Sequence, residues 1–298
     1  GVDDDFFELG GHSLVATQLI SKIRSRFGVE LPLKSIFERS SVAELGELIA
    51  KAERSEIPPI TRIERSRWER LPLSHAEERV WFMNQLGPGH GTVYSVPAAF
   101  IVHGVLDLDH VDAAFELIIA RHESLRTIFP VHDGLPERLV LDRMPFRFRR
   151  WDLTRCDEET RTARSKEICE ADAAIPFDLT KGPLIRGHVI MLAADRNILM
   201  VNMHHVISDG WSIGVFVKEF RAIMDALRQG RRPELPDLPI QYADYAVWQR
   251  QLLEENGSVL KRQLAYWKRK LEGMPESLDL ATDFPRPVVP ASDGKTRL

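Results

Sequence analysis

A stretch of charged residues and prolines divides the sequence into two parts with different hydrophobic patterns. Between residues 52 and 70, charged side chains dominate, Pro58 and Pro59 are adjacent, and the few apolar residues follow no period. Such a segment favours neither an amphipathic helix nor a half-buried strand, so we interpret it as a linker. The length of 298 residues also suits two domains, since a domain typically holds roughly 100 to 200 residues.

Residues 1–51 have the pattern of a small helical domain. After Gly10 and Gly11, apolar residues recur at helical spacing, and Gly28 follows them as a stop signal. Ser41, with Glu44 three residues later, predicts a capping box ahead of a second helix. This region is therefore predicted to be all-α.

Residues 71–298 mix strand and helix patterns. The predicted strands lie at residues 100–102, 138–141, 184–192 and 197–205. The predicted helices begin after a cap at Asp109, cover residues 213–227 and cover residues 242–271. The second part is therefore predicted to be an α+β domain.

The composition is that of an ordinary globular protein. Hydrophobic residues make up 44% and charged residues 28%, which excludes disordered, collagen-like and coiled-coil chains. With 40 basic and 44 acidic residues, the net charge of −4 gives no field that would attract nucleic acid or an anionic membrane. No apolar run approaches the roughly 20 residues that a membrane span needs. Cys156 and Cys169 match neither a disulfide framework nor a zinc pattern, so we expect a reducing compartment, the cytoplasm.

The run DDFFELGGHSL at residues 4–14 places a serine at the start of a helix. Two glycines bring the chain close around Ser13, and the unpaired N–H groups and positive dipole end of the helix favour a phosphate there. On the local pattern alone, an ordinary N-cap is the alternative role for Ser13. The whole run resembles the phosphopantetheine attachment motif of peptidyl carrier proteins. This resemblance implies that Ser13 carries a covalent 4'-phosphopantetheine arm, and that residues 1–51 lack the first helix of the family's carrier.

The run MHHVISDGWS at residues 203–212 joins a predicted strand to a predicted helix. Adjacent strand residues point to opposite faces, so we expect one of His204 and His205 to face a core and the other to face a reaction space. The same geometry disfavours a shared metal ion, and we predict no metal site. Ser208 lies too close in sequence to His205 and Asp209 for a catalytic triad. A pair of satisfied core histidines is the structural alternative.

Three further runs flank the histidine run: SHAEERVW at residues 74–81, RHESLRTIF at residues 121–129 and YADYAVW at residues 242–248. In order, the four runs resemble the core motifs of the condensation domains of nonribosomal peptide synthetases, over residues 71–298. The family usually has Gln where this chain has Glu77. The resemblance implies a chloramphenicol-acetyltransferase-like α+β fold behind the small all-α carrier, with the N-terminal lobe and the start of the C-terminal lobe present.

The resemblance also implies a reaction and roles for named residues. The family joins a donor thioester to the amine of an acceptor aminoacyl thioester, forming an amide. His205 would be the catalytic residue, acting as a general base or positioning the amine, and these two roles stay open. His204 and Asp209 would fix the loop, and Gly210 would let the backbone come close to the substrate arm. Arg186 would form an ion pair with Asp209.

The implied partners are an upstream adenylation domain, a downstream acceptor carrier, a phosphopantetheinyl transferase and carrier-bound thioesters. Two alternatives stay open. Epimerisation domains share the fold and follow carriers, but their usual string after the glycine differs from residues 211–214. A non-catalytic docking platform that recruits a tailoring enzyme is the second, although such relatives usually lose the second histidine. Cyclisation domains are excluded because they carry aspartates in place of the histidines.

Overall fold

A computed structural model describes residues 1–54, 57–86, 92–255, 257–275 and 281. The chain divides into two compact units, residues 1–255 and residues 256–298. Most of the end of the predicted condensation domain, residues 276–298, lies outside the described residues. None of the described helices is long and apolar enough to cross a membrane.

The N-terminal part contains three helices: α1 (Ser13–Phe27), α2 (Lys34–Glu38) and α3 (Val42–Lys51). Helix α1 ends where predicted, because Gly28 adopts the left-handed conformation (φ 67°) and donates its N–H to the Arg24 carbonyl. Helix α3 begins at the predicted capping box of Ser41 and Glu44. Helix α2 was not predicted, since five residues are too few to display a period. The helices share a buried apolar cluster of Ala16, Ile20, Ile23, Val29, Leu31, Ile36 and Leu45.

A four-stranded sheet forms the centre of the following part. The described strands are β1 (Ser95–His103), β2 (Thr127–Ile128), β3 (Val131–His132), β4 (Leu135–Pro136), β5 (Leu139–Val140), β6 (Arg149–Asp152), β7 (Ile185–Ala193) and β8 (Arg196–His204). The sheet has the order β1-β8-β7-β6, in which β6 and β7 are parallel and the other neighbours are antiparallel. The two long predicted strands correspond to β7 and β8 within one residue at each end.

Helices cover both faces of this sheet. The remaining helices are α4 (His75–Gln85), α5 (Leu108–Arg121), α6 (Glu158–Ala173), α7 (Gly210–Arg228), α8 (Tyr242–Arg250) and α9 (Ser258–Lys270). Val189 of β7 packs in the cluster that contains Phe115 of α5 and Phe216 of α7. The next residue, Ile190, packs with Ile168 of α6. Because adjacent strand residues point to opposite faces, α5 and α7 cover one face and α6 covers the other.

Some predicted element bounds are wrong, for local reasons. Asp107, and not Asp109, caps α5, since its carboxylate accepts the N–H groups of Asp109 and His110 at the first turn. The predicted helix over residues 242–271 is two helices, α8 and α9, and α8 is followed by a π-helical turn at Gln251–Glu255. Helices α4 and α6 were not predicted because charged residues dilute their apolar faces.

Candidate functional site

Strand β8 ends at His204, and His205 begins the loop that leads to α7. The backbone N–H of His204 donates to the Leu184 carbonyl (3.0 Å), and that of His205 donates to the Tyr94 carbonyl (2.7 Å). The His204 side chain is 0% exposed, whereas His205 is exposed. The two adjacent histidines therefore differ in exposure, with His204 in the core and His205 at the surface.

His204 is held as a neutral imidazole. Its Nδ1 accepts the Val206 N–H (3.1 Å), and its Nε2 is buried with no hydrogen-bond partner among the described residues. The rings of Tyr94 and Phe177 lie beside it, with centroids 6.2 and 5.9 Å away. Burial, together with the nearby charge of His205, lowers the pKa of His204 to about 4. Because Nδ1 accepts a hydrogen bond, the single proton of the neutral ring lies on Nε2.

Asp209 fixes the start of α7 as its N-cap. Its carboxylate accepts hydrogen bonds from the Ser212 N–H (2.8 Å) and hydroxyl (2.7 Å). The Asp209 N–H donates in turn to the Ser212 hydroxyl (3.2 Å), which completes a capping box. Gly210 is the first helical residue, and the space where its Cβ would stand is open. The loop that follows His205 is thus fixed to the N-terminal end of α7.

The predicted ion pair between Arg186 and Asp209 is wrong. The Nε of Arg186 donates to the Asp172 carboxylate on α6 (3.0 Å), and the guanidinium stacks over the Phe177 ring at 3.8 Å. Arg186 pairs across the sheet with Asn202, which also donates to Asp172 (2.8 Å). The side chain of Arg186 therefore points to the face covered by α6, away from the face on which Asp209 begins α7.

Asp172 gathers a buried polar cluster that sequence reasoning missed. It accepts hydrogen bonds from Arg186, Asn202 and His188 Nε2 (3.0 Å). Burial alone would raise the pKa of Asp172, but the hydrogen bonds from His188 and Asn202 and the charge of Arg186 outweigh it and lower the pKa to about 2. The available signal was the presence of His188 and Asn202 within otherwise apolar strands.

His205 lines a cavity of about 220 Å³ to which all four motif runs contribute. The first run supplies Glu77, the second supplies Ser124, and the fourth supplies Tyr242, while Asp209 comes from the histidine run itself. An adjoining cavity of about 230 Å³ shares Ser124, Ile207, Ser208 and Ser212 with the first and is lined beyond them by His122 and apolar side chains. Segments far apart in sequence thus converge on the exposed histidine.

A buried ion pair holds Glu77, one of the residues that line this cavity. Glu77 is 3% exposed and pairs with Arg138, whose guanidinium also lies 5.5 Å from the centre of the Tyr242 ring. The Ser74 N–H donates to the Glu77 carboxylate (2.8 Å), and the hydroxyls of Ser74 and Tyr242 are 3.1 Å apart. Burial raises the pKa of Glu77. The positive charge of Arg138 acts in the other direction but does not outweigh burial. Arg138 was missed because its pairing with Glu77 spans 61 residues.

A larger cavity lies elsewhere and contains none of the predicted site residues. It has a volume of about 580 Å³ and is lined by residues of α5, α7 and the segment before α8, among them Leu117, Ile223 and Leu238. The candidate site is the smaller cavity, because it contains the exposed histidine and residues from all four motif runs.

Ser13 is the first residue of α1, and its side chain is exposed. His12 occupies the N-cap position, so the alternative that Ser13 is the N-cap is wrong. In the preceding turn Gly10 has a φ of 90°, and a Cβ on Gly11 would stand 2.4 Å from the Phe6 carbonyl oxygen. Glycine is therefore required at both positions. The exposed hydroxyl beside the unpaired N–H groups of the first turn fits a covalently attached phosphate.

Apart from His204, which is buried in the core, the predicted site residues fall into three places. His205 and Asp209 line one cavity, and Gly210 follows them at the start of α7. Arg186 belongs to the Asp172 cluster on the other face of the sheet. Ser13 begins a helix of the N-terminal cluster, which is separate from the core around the sheet.

Comparison with known proteins identifies relatives over nearly the whole chain. One of the linear gramicidin synthase proteins of Brevibacillus parabrevis is 44% identical over 294 residues, which are 99% of this chain and 6% of that protein. The dimodular nonribosomal peptide synthase of Bacillus subtilis is 38% identical over 299 residues, 99% of this chain and 12% of that protein. The chain therefore spans a small fraction of the length of these relatives.

Solved structures share the fold of the sheet-containing part. The X-domain from teicoplanin biosynthesis matches 78% of this chain and 50% of its own chain, with a TM-score of 0.66 and 30% identity. The first condensation domain of the calcium-dependent antibiotic synthetase matches 70% of this chain and 49% of its own, with a TM-score of 0.62 and 24% identity. The second likeness concerns the fold alone.

Two family models match the chain. Residues 1–49 match the phosphopantetheine attachment site, the site at which that group is bound covalently to a serine, and residues 68–297 match the condensation domain. The predicted order of carrier and condensation domain is confirmed, as is the predicted fold class. The chain belongs to the condensation domain family of nonribosomal peptide synthetases, and a phosphopantetheine attachment site precedes that domain.

Proposed function

We propose that residues 1–51 hold a donor thioester and that residues 71–298 catalyse the attack of an acceptor amine on it, with residues 52–70 as the link. The observation that supports this function is the convergence of four motif runs on one cavity lined by the exposed His205. The chain spans only 6% and 12% of the length of the two relatives, so the whole reaction is assigned to a longer protein to which this chain contributes.

Ser13 is the proposed attachment point for 4'-phosphopantetheine. The group, when bound, supplies a thiol that carries acyl groups as thioesters. Ser13 offers an exposed hydroxyl, and the first turn of α1 offers N–H groups that can hold the phosphate. A tether at this position raises the effective concentration of the donor at the catalytic domain, so reaction depends on which carrier docks.

In the proposed step, the amine nitrogen bonds to the thioester carbonyl carbon and the carbon–sulphur bond breaks. A free α-amino group has a pKa of about 7.7–8.0, so near neutral pH much of it is protonated and cannot attack. His205 would accept a proton from the attacking amine and return it to the departing sulphur, leaving an amide and a thiol. Base catalysis of this kind typically contributes ~10²–10⁴-fold. Positioning of the amine by His205 is the second role compatible with the exposed ring.

The supporting residues act on the geometry of the loop. His204 anchors the end of β8 in the core, and Asp209 anchors the start of α7. Gly210 leaves open space in which a substrate arm can approach the backbone. Arg186 would act through Asp172 and α6, by bracing β7 beside β8.

The proposed partners follow from this chemistry. They are an upstream adenylation domain that loads Ser13, a downstream carrier that brings the acceptor, and a phosphopantetheinyl transferase that attaches the arm. Carrier-bound aminoacyl or peptidyl thioesters are the substrates. We place the protein in the cytoplasm, where the free thiols of Cys156 and Cys169 remain reduced.

The attachment site is tested by incubating this chain with coenzyme A and a phosphopantetheinyl transferase and measuring its intact mass. We expect one added arm on the native chain and none on Ser13→Ala. Ser21→Ala, which changes an exposed serine of the same helix, should accept the arm normally. An unmodified native chain, or a modified Ser13→Ala variant, would contradict the assignment.

The reaction itself is tested in the longer protein by supplying loaded donor and acceptor carriers and analysing the product. Condensation gives a dipeptidyl thioester. An inverted α-carbon without a new amide would indicate epimerisation, and the absence of any product would indicate a docking platform, so each of these outcomes would contradict the proposal.

A further inference from the structure

Arg65, in the segment predicted to be a linker, contacts two of the motif runs. Its guanidinium pairs with Glu123 of the second run (2.8 Å) and with Asp244 of the fourth run (3.1 Å). The N–H of Ile63 also donates to the Asp244 carboxylate (3.1 Å). Further along α8, the indole N–H of Trp248 donates to the Pro58 carbonyl (2.8 Å). The described part of the linker is thus bound along residues 58–65.

Asp244 depends on this contact for a counter-charge. Its side chain is 0% exposed, and Arg65 is the one cation within ion-pair distance among the described residues. The hydrogen-bond donors to its carboxylate among the described residues are the backbone N–H groups of Ile63 and Gln241, the latter at 2.6 Å. Removing one member of a buried ion pair leaves the other charge uncompensated, which is strongly unfavourable. The linker therefore completes a buried polar cluster of the catalytic part.

The same cluster holds two walls of the His205 cavity. Glu123 is followed by the cavity residue Ser124, and Asp244 lies two residues after the cavity residue Tyr242, in the first turn of α8. Gln241 joins these segments directly, because its side-chain oxygen accepts the Glu123 N–H (3.1 Å). Arg65 spans the two carboxylates from outside, so one guanidinium connects the turn at Ser124 to the start of α8.

We infer that Arg65 is a positioning residue for amide formation, which couples the linker to the shape of the His205 cavity; this inference rests on the proposed function. Arg65 contacts neither the cavity nor the reacting atoms. It acts through Glu123 and Asp244, which belong to motif runs whose role the proposed chemistry leaves unexplained. The linker is then part of the catalytic machinery as well as a tether for the carrier.

The contact is tested by comparing Arg65→Ala with Arg67→Ala in the longer protein. Arg67 is a matched control, because it lies two residues away, is 79% exposed and pairs with Glu64 three residues before it. Hydrogen exchange of the peptide that contains Ile63 should be at least tenfold faster in Arg65→Ala than in Arg67→Ala. Equal exchange in the two variants would overturn the inference.

The effect on the cavity is tested with a donor that needs no tether, a soluble aminoacyl thioester of N-acetylcysteamine. We expect the kcat for amide formation to fall about three- to tenfold in Arg65→Ala, with the KM for the donor little changed. Arg67→Ala should retain the native kcat. If the linker is released and kcat stays native, the cavity does not depend on Arg65 and the inference fails, whereas an inactive native protein would refute the proposed function itself.

A conservative variant guards against simple misfolding. Arg65→Lys keeps a positive charge near Asp244 but cannot bridge two carboxylates with a planar fork. Its kcat should lie between those of the native protein and Arg65→Ala, at an unchanged melting temperature. A kcat for Arg65→Lys equal to the native value would show that bridging is not needed and would overturn the assignment.

Discussion

His204 and His205 are neighbours in sequence, yet the strand geometry gives them different chemistry. His204 lies in the core as a neutral ring, and His205 lies on a cavity wall. The alternation of side chains along a strand was sufficient to predict this difference from the sequence. The contacts around them were not predictable, because the ring of Phe177 and the carbonyl of Tyr94 come from distant segments.

The buried state of His204 predicts a pH dependence of stability. A histidine in the unfolded chain binds a proton near its ordinary pKa of 6.5, whereas folded His204 resists protonation until about pH 4. The unfolded state therefore binds more protons in that interval, so stability is complete above about pH 6.5 and declines as the pH falls toward 4. His204→Asn keeps an acceptor for the Val206 N–H but cannot titrate. It should flatten this dependence by up to about 3 kcal/mol in urea unfolding across the interval.

His103→Asn is the control for that experiment, since His103 is exposed at the end of β1. Its unfolding free energy should follow the native pH dependence. A His204→Asn variant with the native pH dependence would show that burial of His204 does not govern acid sensitivity.

At the scale of elements, helix ends that depend on a few neighbouring residues were predictable, and contacts between elements were not. Gly28 and the Ser41 capping box gave correct ends for α1 and α3, because each acts through its own turn. The cap of α5 was predicted two residues too late because Asp107 and Asp109 are both suitable caps, and it is Asp107 whose carboxylate accepts the first N–H groups of the helix. The predicted ion pair of Arg186 with Asp209 was also wrong. Side chains alternate along β7, and the Arg186 side chain points to the face that α6 covers, where it pairs with Asp172.

The cap of α7 gives a prediction for Asp209. Replacing an N-cap aspartate by alanine leaves N–H groups of the first turn unpaired and typically costs about 1 kcal/mol, whereas asparagine is itself a good N-cap. In thermal unfolding, the Asp209→Ala variant should therefore be about 1 kcal/mol less stable than the native chain. The Asp209→Asn variant should lose only a few tenths of a kcal/mol.

Asp225→Ala is the matched control for the cap, because Asp225 is exposed within the same helix. It should leave the melting temperature nearly unchanged. Equal losses in Asp209→Ala and Asp209→Asn would mean that the carboxylate charge, and not the cap, stabilises this helix.

At the scale of the whole molecule, the order of domains was predictable and the assembly of the cavity was not. The run at residues 4–14, the break at residues 52–70 and the four motif runs identified a carrier followed by a condensation domain. The cavity, however, joins Glu77, Ser124, His205 and Tyr242 across about half of the chain, and Arg138 braces it from yet another segment. Contacts at such sequence separations leave no local pattern. For the same reason, the contacts of the linker with Glu123, Asp244 and Trp248 were not predicted.

The most direct test of the central claim compares His205→Ala with the native longer protein. The donor is supplied on Ser13 and the acceptor on its own carrier, and the dipeptidyl thioester is quantified over time. His132→Ala, which changes an exposed histidine in the β3–β4 hairpin, serves as the control. We predict that His205→Ala lowers the rate of amide formation by at least about 10²-fold while Ser13 is loaded normally, and that His132→Ala retains the native rate. Amide formation at the native rate in His205→Ala would contradict the account.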